Sequence, residues 1–280
     1  MKRRPKEAAA LRRRYIISVV RGAPRERVFS QLAIAAELAR ANPLVVALNL
    51  VGAEDSQISV RDFRLHMQMV DFVRSRRPGV RITLHAGEMT PQILGAAPGK
   101  VPEALTYHIA ESVRNGHAER IGHGTALRYE ADRVALLREM QTRGILAEIC
   151  LTSEELIQEL KAEEIPFEAY HLAGVPVSLN TDDEGIFRSD LSHEFLRAAR
   201  DYHLSYATLK ELARNSIEYS FLPGQSLFRA RNFKERVPEC AQGAPACRAY
   251  LDANPKAGVE QQLEEQFHQF ESAGSLKRFR

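Results

Sequence analysis

A chain of 280 residues, 44% of them hydrophobic, can bury a sizeable core as one large domain or two small ones. No stretch approaches the ~20 consecutive apolar residues that cross a bilayer, so we expect no membrane span. The net charge of +3 originates in residues 1–14, which carry seven basic residues and one acidic residue. Because this basic tail lacks interleaved aromatic residues, we interpret it as a solvated terminus rather than as an arm that binds nucleic acid or a membrane surface.

Short apolar runs alternate with amphipathic stretches along the chain. Runs rich in Val, Ile and Leu predict six parallel strands buried on both faces: Tyr15–Val20, Leu44–Val51, Val80–His85, Arg120–Gly124, Ile145–Leu151 and Val175–Asn180. Apolar residues at spacings of three and four predict helices between them, most clearly from Val60 to Val73 and from Leu105 to Val113. This alternation predicts right-handed βαβ units in a parallel sheet or barrel.

Polar residues that could act in catalysis or metal binding lie where several predicted strands end, which favours a (β/α)8 TIM-type barrel. An open doubly wound sheet is the alternative, but the chain has no GxGxxG or GxxxxGK[ST] phosphate loop. Because six runs are present and a closed barrel needs eight strands, we expect an incomplete barrel lacking its first two units. The predicted organisation is a basic tail (1–14), a barrel domain (15–225) and a C-terminal helical extension (226–280).

The cysteines and two of the histidines allow structural interpretations. Cys150 lies in an apolar run, which predicts a buried thiol. Cys240 and Cys247 share a loop containing Gly, Ala and Pro, and they either close a disulfide, which would imply an oxidising compartment, or remain two free thiols. His66 and His108 fall in helical stretches and are predicted to lie on the surface.

Three short motifs carry the chemistry. In the first, His85-Ala86-Gly87-Glu88, a histidine at a strand end can ligate zinc and a glutamate three residues later can face the same cavity. The second, Arg120-Ile121-Gly122-His123-Gly124, places a histidine at the end of another strand, and the third ends in Asp182-Asp183. Because adjacent strand residues point in opposite directions, one of these aspartates can face a metal and the other a substrate; a solvated turn or helix cap is the alternative.

Together these motifs resemble the adenosine deaminase family of metal-dependent purine deaminases, in order from about Ile16 to Leu222. The resemblance implies that His85 and Asp182 are zinc ligands. It also implies that Glu88 protonates a purine ring nitrogen, and that His123 orients the metal-bound water and accepts its proton.

The resemblance implies further contacts with a purine nucleoside substrate. Asp183 matches a residue that hydrogen-bonds the five-membered ring of the purine. Gly52 and Gly87 fall where the family brings its backbone close to the base. A buried Glu88 would stay protonated, because desolvation disfavours its charged form. The PCxxC element of cytidine-type zinc deaminases is absent from the sequence.

The sequence departs from the family in its metal ligands. The family takes two further zinc ligands from an HxH pair, and no HxH occurs among the nine histidines. The leading hypothesis is zinc-dependent hydrolytic deamination of adenosine or a related adenine nucleoside, which releases an inosine-type product and ammonia. The alternative is a catalytically inactive, shortened homologue that acts as a binding or assembly module. The glutamate that follows the aspartate pair, Glu184, makes this part of the sequence resemble a bacterial, exported branch of the family.

Overall fold

The computed structural model describes residues 13–243 and 245–273, so residues 1–12 of the predicted basic tail lie outside the described residues. The chain divides into two compact units, Met1–Ile145 and Leu146–Arg280. The predicted boundary between residues 225 and 226 stays a prediction. No helix within the described ranges is both long and apolar enough to cross a membrane.

Within its described residues, the first unit contains four parallel strands and four α-helices. The strands are β1 (Tyr15–Val20), β2 (Val45–Val51), β3 (Thr83–Ala86) and β4 (Arg120–His123). The helices are α1 (Arg25–Ala41), α2 (Gln57–Arg76), α3 (His108–Arg114) and α4 (Arg133–Arg143), with 3-10 turns at Glu103–Thr106 and Thr125–Tyr129. β1 pairs with β2, β3 pairs with β4, and a parallel bridge joins Leu48 of β2 to Ile82.

Local sequence explains where the longest helix of this unit begins and ends. The side chain of Ser56 accepts a hydrogen bond from the Ser59 amide at the start of α2, which satisfies one of the unpaired donors there. The apolar face of α2, which includes Phe63, Met67 and Val70, is fully buried. The helix ends at Arg76, just before the Pro78-Gly79 pair, where proline disfavours its continuation.

Two predictions about burial were wrong in this unit. β1 is not buried on both faces: Tyr15 is 52% and Val20 is 50% exposed, and among the described residues β1 has β2 as its single strand partner. His66 and His108 are both 0% exposed. The same spacing that turns Phe63 inward turns His66 inward, because residues three apart share a helix face. The His108 ring stacks on Phe63 with ring centroids 3.5 Å apart.

The second unit contains two parallel strands and seven α-helices within the described residues. The strands are β5 (Leu146–Ile149) and β6 (Val177–Leu179), paired from Ala147 opposite Val177 to Ile149 opposite Leu179. The helices are α5 (Leu151–Gln158), α6 (Phe167–Leu172), α7 (Glu184–Phe187), α8 (Leu191–Asp201), α9 (Tyr206–Glu218), α10 (Cys247–Ala253) and α11 (Pro255–Ser272). The side-chain amide of Asn215 on α9 donates a hydrogen bond to the Val177 carbonyl of β6 at 2.9 Å, which anchors that helix to the strand.

The cysteines of this unit answer the question that the sequence left open. Cys240 and Cys247 form a disulfide next to a small cluster of buried apolar side chains that includes Leu227 and Phe228. Cys150 is buried, as predicted. Cys150 follows β5, which ends at Ile149, and it is the N-cap residue of helix α5, which begins at Leu151. All six predicted strands are present in the described residues and pair in parallel in β1–β2, β3–β4 and β5–β6, which confirms the α/β class.

Candidate active site

The predicted catalytic residues of the first unit lie at the ends of two paired strands. His85 is the third residue of β3, Glu88 follows that strand, and His123 is the last residue of β4. The parallel register places Ala86 opposite His123 and His85 opposite Gly122. Because parallel strands end at the same edge of a sheet, these side chains converge there.

The metal-ligating atoms of His85, Glu88 and His123 all lie within 4.8 Å of one another. Glu88 Oε2 is 3.6 Å from His123 Nε2 and 4.0 Å from His85 Nδ1. The two imidazole rings meet edge to face. The His123 side chain is 2% exposed, whereas Glu88 and His85 are 15% and 22% exposed, so the cluster is mostly buried but open on one side.

Gly122 permits this close approach, and Gly87 has no room for a side chain. A Cβ at Gly122 would lie 2.6 Å from Cδ2 of His85, so only glycine lets the imidazole pack across β4. Gly87 has φ +73°, and a Cβ there would lie 2.8 Å from Cγ1 of Ile109. Gly52 follows β2 with φ +94°, where a Cβ would make only an ordinary 3.5 Å contact, so the backbone conformation alone requires glycine there.

The surroundings of His85 favour its neutral form. Burial lowers the pKa of His85 well below its ordinary value, and electrostatic interactions with His123 and Arg21 lower it further. A neutral imidazole is the form that binds a metal ion. Within the cluster His85 therefore offers an imidazole nitrogen of the kind that zinc accepts.

The sequence reasoning missed a buried charged group behind this cluster. Glu54 is 1% exposed and accepts hydrogen bonds from the amides of Gly87 (2.9 Å) and Glu88 (2.8 Å). Burial alone would raise the pKa of Glu54, but Arg21 and hydrogen bonds from His108 and Gly87 outweigh it and hold the pKa at about 2. The available signal was the position of Glu54 two residues after Gly52, which the resemblance places close to the base.

The remaining predicted residues lie in the second unit. Asp182 follows β6 with φ +52°, and its Oδ2 accepts a hydrogen bond from Ser153 Oγ at 2.6 Å. Ser153 was not among the residues predicted from the sequence. Asp183 occupies the N-cap position of α7, but its side chain accepts no capping hydrogen bond from the described residues, so the helix-cap alternative is not realised there.

Comparison with known proteins identifies the relatives of this chain. Residues 3–232 match the family model described as adenosine deaminase. The chain is 37% identical over 158 residues to the aminodeoxyfutalosine deaminase of Streptomyces coelicolor, a match that covers 55% of this chain and 36% of that protein. It is 35% identical over 144 residues to the adenosine deaminase of Enterococcus faecalis, covering 51% and 37%. The chain thus spans little more than a third of each relative.

A solved structure shows the same fold over most of the chain. A cog1816 amidohydrolase from Burkholderia ambifaria, solved with bound Zn, matches with a TM-score of 0.59 and 18% identity. The match covers 91% of this chain and 59% of that one. The fold is that of the TIM-barrel amidohydrolases, and the six strands described here form part of it. This confirms the predicted incomplete barrel.

Proposed function

The chain belongs to the adenosine deaminase family, and from that premise we propose that its site serves the hydrolytic deamination of adenosine or a related adenine nucleoside. The observation that carries the proposal is the convergence of His85, Glu88 and His123 within 4.8 Å at the ends of β3 and β4. The family resemblance singles out the same three residues, and they meet in space although 38 positions separate the first from the last.

Zinc is the proposed cofactor, and His85 and Asp182 are the ligands that the family resemblance assigns to it. The neutral imidazole of His85 and the hydrogen bond that orients the Asp182 carboxylate both suit metal ligation. When bound, a zinc ion in such a site lowers the pKa of its water from 15.7 to about 7, which supplies hydroxide near neutral pH.

Glu88 and His123 are the proposed proton-transfer groups. Replacing the exocyclic amine of a purine by oxygen places negative charge on the ring, so a proton is needed at a ring nitrogen as the oxygen adds. We assign that proton to the Glu88 carboxyl and the acceptance of the proton from water to His123. His123 then returns its proton to the amine as the C–N bond breaks and ammonia leaves, and the proton of the added hydroxyl restores the Glu88 carboxyl. The Glu88 carboxyl and the His123 imidazole lie 3.6 Å apart, so both can act on the same reacting group. Asp183 and the backbone at Gly52 and Gly87 are proposed to contact the purine.

Ammonia release from adenosine by the purified, zinc-supplemented chain tests the activity. We expect Glu88→Gln to lower the rate by about 10²–10⁴-fold, the range for loss of a general acid. Glu103→Gln is a matched control, because Glu103 lies in the same unit with a 78% exposed side chain. Absence of ammonia release from every adenine nucleoside, or unchanged activity in Glu88→Gln, would contradict the proposal.

Metal content tests the cofactor separately. We expect zinc retained after dialysis to fall in His85→Ala and to stay unchanged in His117→Ala. His117 is a suitable control because its Nε2 contacts Asp71 at 2.6 Å, outside the cluster. Equal zinc in both variants would refute His85 as a ligand.

The absence of an HxH pair from the sequence favours one second candidate, a binding module without catalysis. Such a module would bind an adenine nucleoside without releasing ammonia. Calorimetric titration with adenosine, run beside the ammonia assay, separates the two functions.

A further inference from the structure

A buried carboxylate lies directly behind the turn that carries Glu88. Both oxygens of Glu54 are used on this turn: Oε1 accepts from the Gly87 amide at 2.9 Å and Oε2 from the Glu88 amide at 2.8 Å. Gly87 has φ +73°. A left-handed residue directs successive backbone amides to the same side and creates a concavity that binds anions. One side chain therefore fixes two consecutive peptides.

Glu54 is itself held by groups from distant parts of the first unit. His108 Nδ1 lies 2.6 Å from Oε1 and Arg21 Nη1 lies 3.6 Å from the same oxygen. Since an ionised carboxylate only accepts hydrogen bonds, Nδ1 of His108 must carry the proton. Stacking on Phe63 fixes the orientation of the His108 ring.

Arg21 also holds the chain on the other side of the turn. Its Nη2 donates to the carbonyl oxygens of His85 at 2.5 Å and Leu50 at 2.6 Å. The peptide that precedes the turn is thus fixed by Arg21 and the peptides that follow it by Glu54. The side chain that leaves this turn, Glu88, contacts His123 at 3.6 Å.

Burying the charged groups of this network costs free energy that a purely structural role does not explain. Arg21, Glu54 and His108 have fully buried side chains, and within the described part of the chain Arg21 Nε and His108 Nε2 have no hydrogen-bond partner. Apolar residues of similar volume often stabilise a core as well as a buried charge network does, or better. A buried charged network is therefore weak support for a stabilising role, whereas a carboxylate is well suited to accept from two adjacent amides at once.

We propose that Glu54 is a positioning residue, which, held by Arg21 and His108, fixes the Gly87–Glu88 backbone and thereby sets where the Glu88 carboxyl lies. The inference deepens the proposed function and rests on it for the role of Glu88. The structural half of the proposal, that Glu54 accepts hydrogen bonds from two adjacent amides and fixes them, does not depend on any activity.

Hydrogen exchange of backbone amides, measured by NMR, tests the structural half. In the wild-type chain we expect the Gly87 and Glu88 amides to exchange at least 100-fold more slowly than unstructured amides. In Glu54→Gln, which keeps the shape but leaves one acceptor oxygen, exchange at these two amides should rise at least tenfold. The Leu48 amide, which donates to the Arg81 carbonyl in the same unit, should be unaffected.

Glu130→Gln is the matched control. Glu130 is also a buried carboxylate of the first unit, and its Oε1 accepts from the amides of Ile109 at 2.7 Å and Ala110 at 3.2 Å. This variant should leave the exchange at Gly87 and Glu88 unchanged. Should Glu54→Gln fail to fold because Arg21 loses its counter-charge, the double variant Arg21→Met/Glu54→Gln removes both charges and is measured instead.

Kinetics test the positioning half. Glu54→Gln should lower kcat for ammonia release about 100-fold with KM changed less than twofold, and Glu130→Gln should change neither. Wild-type amides at Gly87 and Glu88 that exchange freely would overturn the proposal, as would a rise in exchange spread over the whole unit or an unchanged kcat. If the wild-type chain releases no ammonia, the proposed function fails, and the exchange data still decide whether Glu54 holds the turn.

Discussion

Replacing Gly87 by alanine tests how closely the backbone is packed where β3 ends. A Cβ there would lie 2.8 Å and 2.9 Å from Cγ1 and Cδ1 of Ile109, and 3.2 Å from the Ala126 Cβ. A left-handed conformation costs an alanine about 1–2 kcal/mol. Overpacking in a filled core costs a further ~1–3 kcal/mol. We therefore expect Gly87→Ala to lower the free energy of unfolding by roughly 2–5 kcal/mol.

Gly95 offers a matched control that separates the two contributions. It has φ +66° in the same unit, but a Cβ there would meet nothing within 4 Å. Gly95→Ala should therefore cost only the backbone contribution, about 1–2 kcal/mol. Urea unfolding followed by circular dichroism measures both variants, and their difference isolates the contact with Ile109. Equal losses in the two variants would show that this contact carries no energy and would refute the reasoning.

Three other perturbations test separate features of the chain. Reduction of the Cys240–Cys247 disulfide should lower the free energy of unfolding by about 2–3 kcal/mol; the thermal midpoint should fall with reductant in the wild type but not in the double Ser variant. Burial, reinforced by Glu218, raises the pKa of Glu260 to about 8, above the ~4.3 of an exposed glutamate. The folded state then binds a proton that the unfolded chain releases, so stability should fall as the pH rises from about 5 to about 8. Glu260→Gln should flatten this decline in urea midpoints. Because His123 has φ +67°, His123→Gly should be more stable to urea than His123→Ala by about 1–2 kcal/mol.

The strands show how far hydrophobic patterning reaches. β1 was predicted to the residue, because charged Arg14 and Arg21 bound its apolar run on both sides. The run Ile145–Leu151 overshot β5, because the chain stays apolar through Cys150 and Leu151 although the backbone has already turned into a helix. An apolar run records burial, and it does not record the change of backbone conformation within the buried segment.

The buried polar residues show where prediction from the sequence ends. Hydropathy places a lone histidine or arginine at the surface, yet Arg21, His66 and His108 are all 0% exposed. His108 is buried beside Glu54, a partner 54 positions away in the sequence. The burial of each charged group depends on the other, so neither is predictable alone. The family resemblance predicted which residues contact the metal or the substrate. It did not predict the buried residues, such as Glu54, that position them.

The backbone at the strand ends provides a separate argument for the proposed site. Gly52, Gly87, His123 and Asp182 all have positive φ, between +52° and +94°, and each is the last residue of a strand or follows it within three positions. Glycine adopts this conformation without penalty, but histidine and aspartate do so at a cost. Elsewhere a left-handed residue such as Glu159 simply ends a helix. A non-glycine residue that keeps such strain where a strand ends is typical of a position whose side chain is needed for function. The backbone thus favours the same histidine and aspartate as the motifs, although the motifs carry no information about φ.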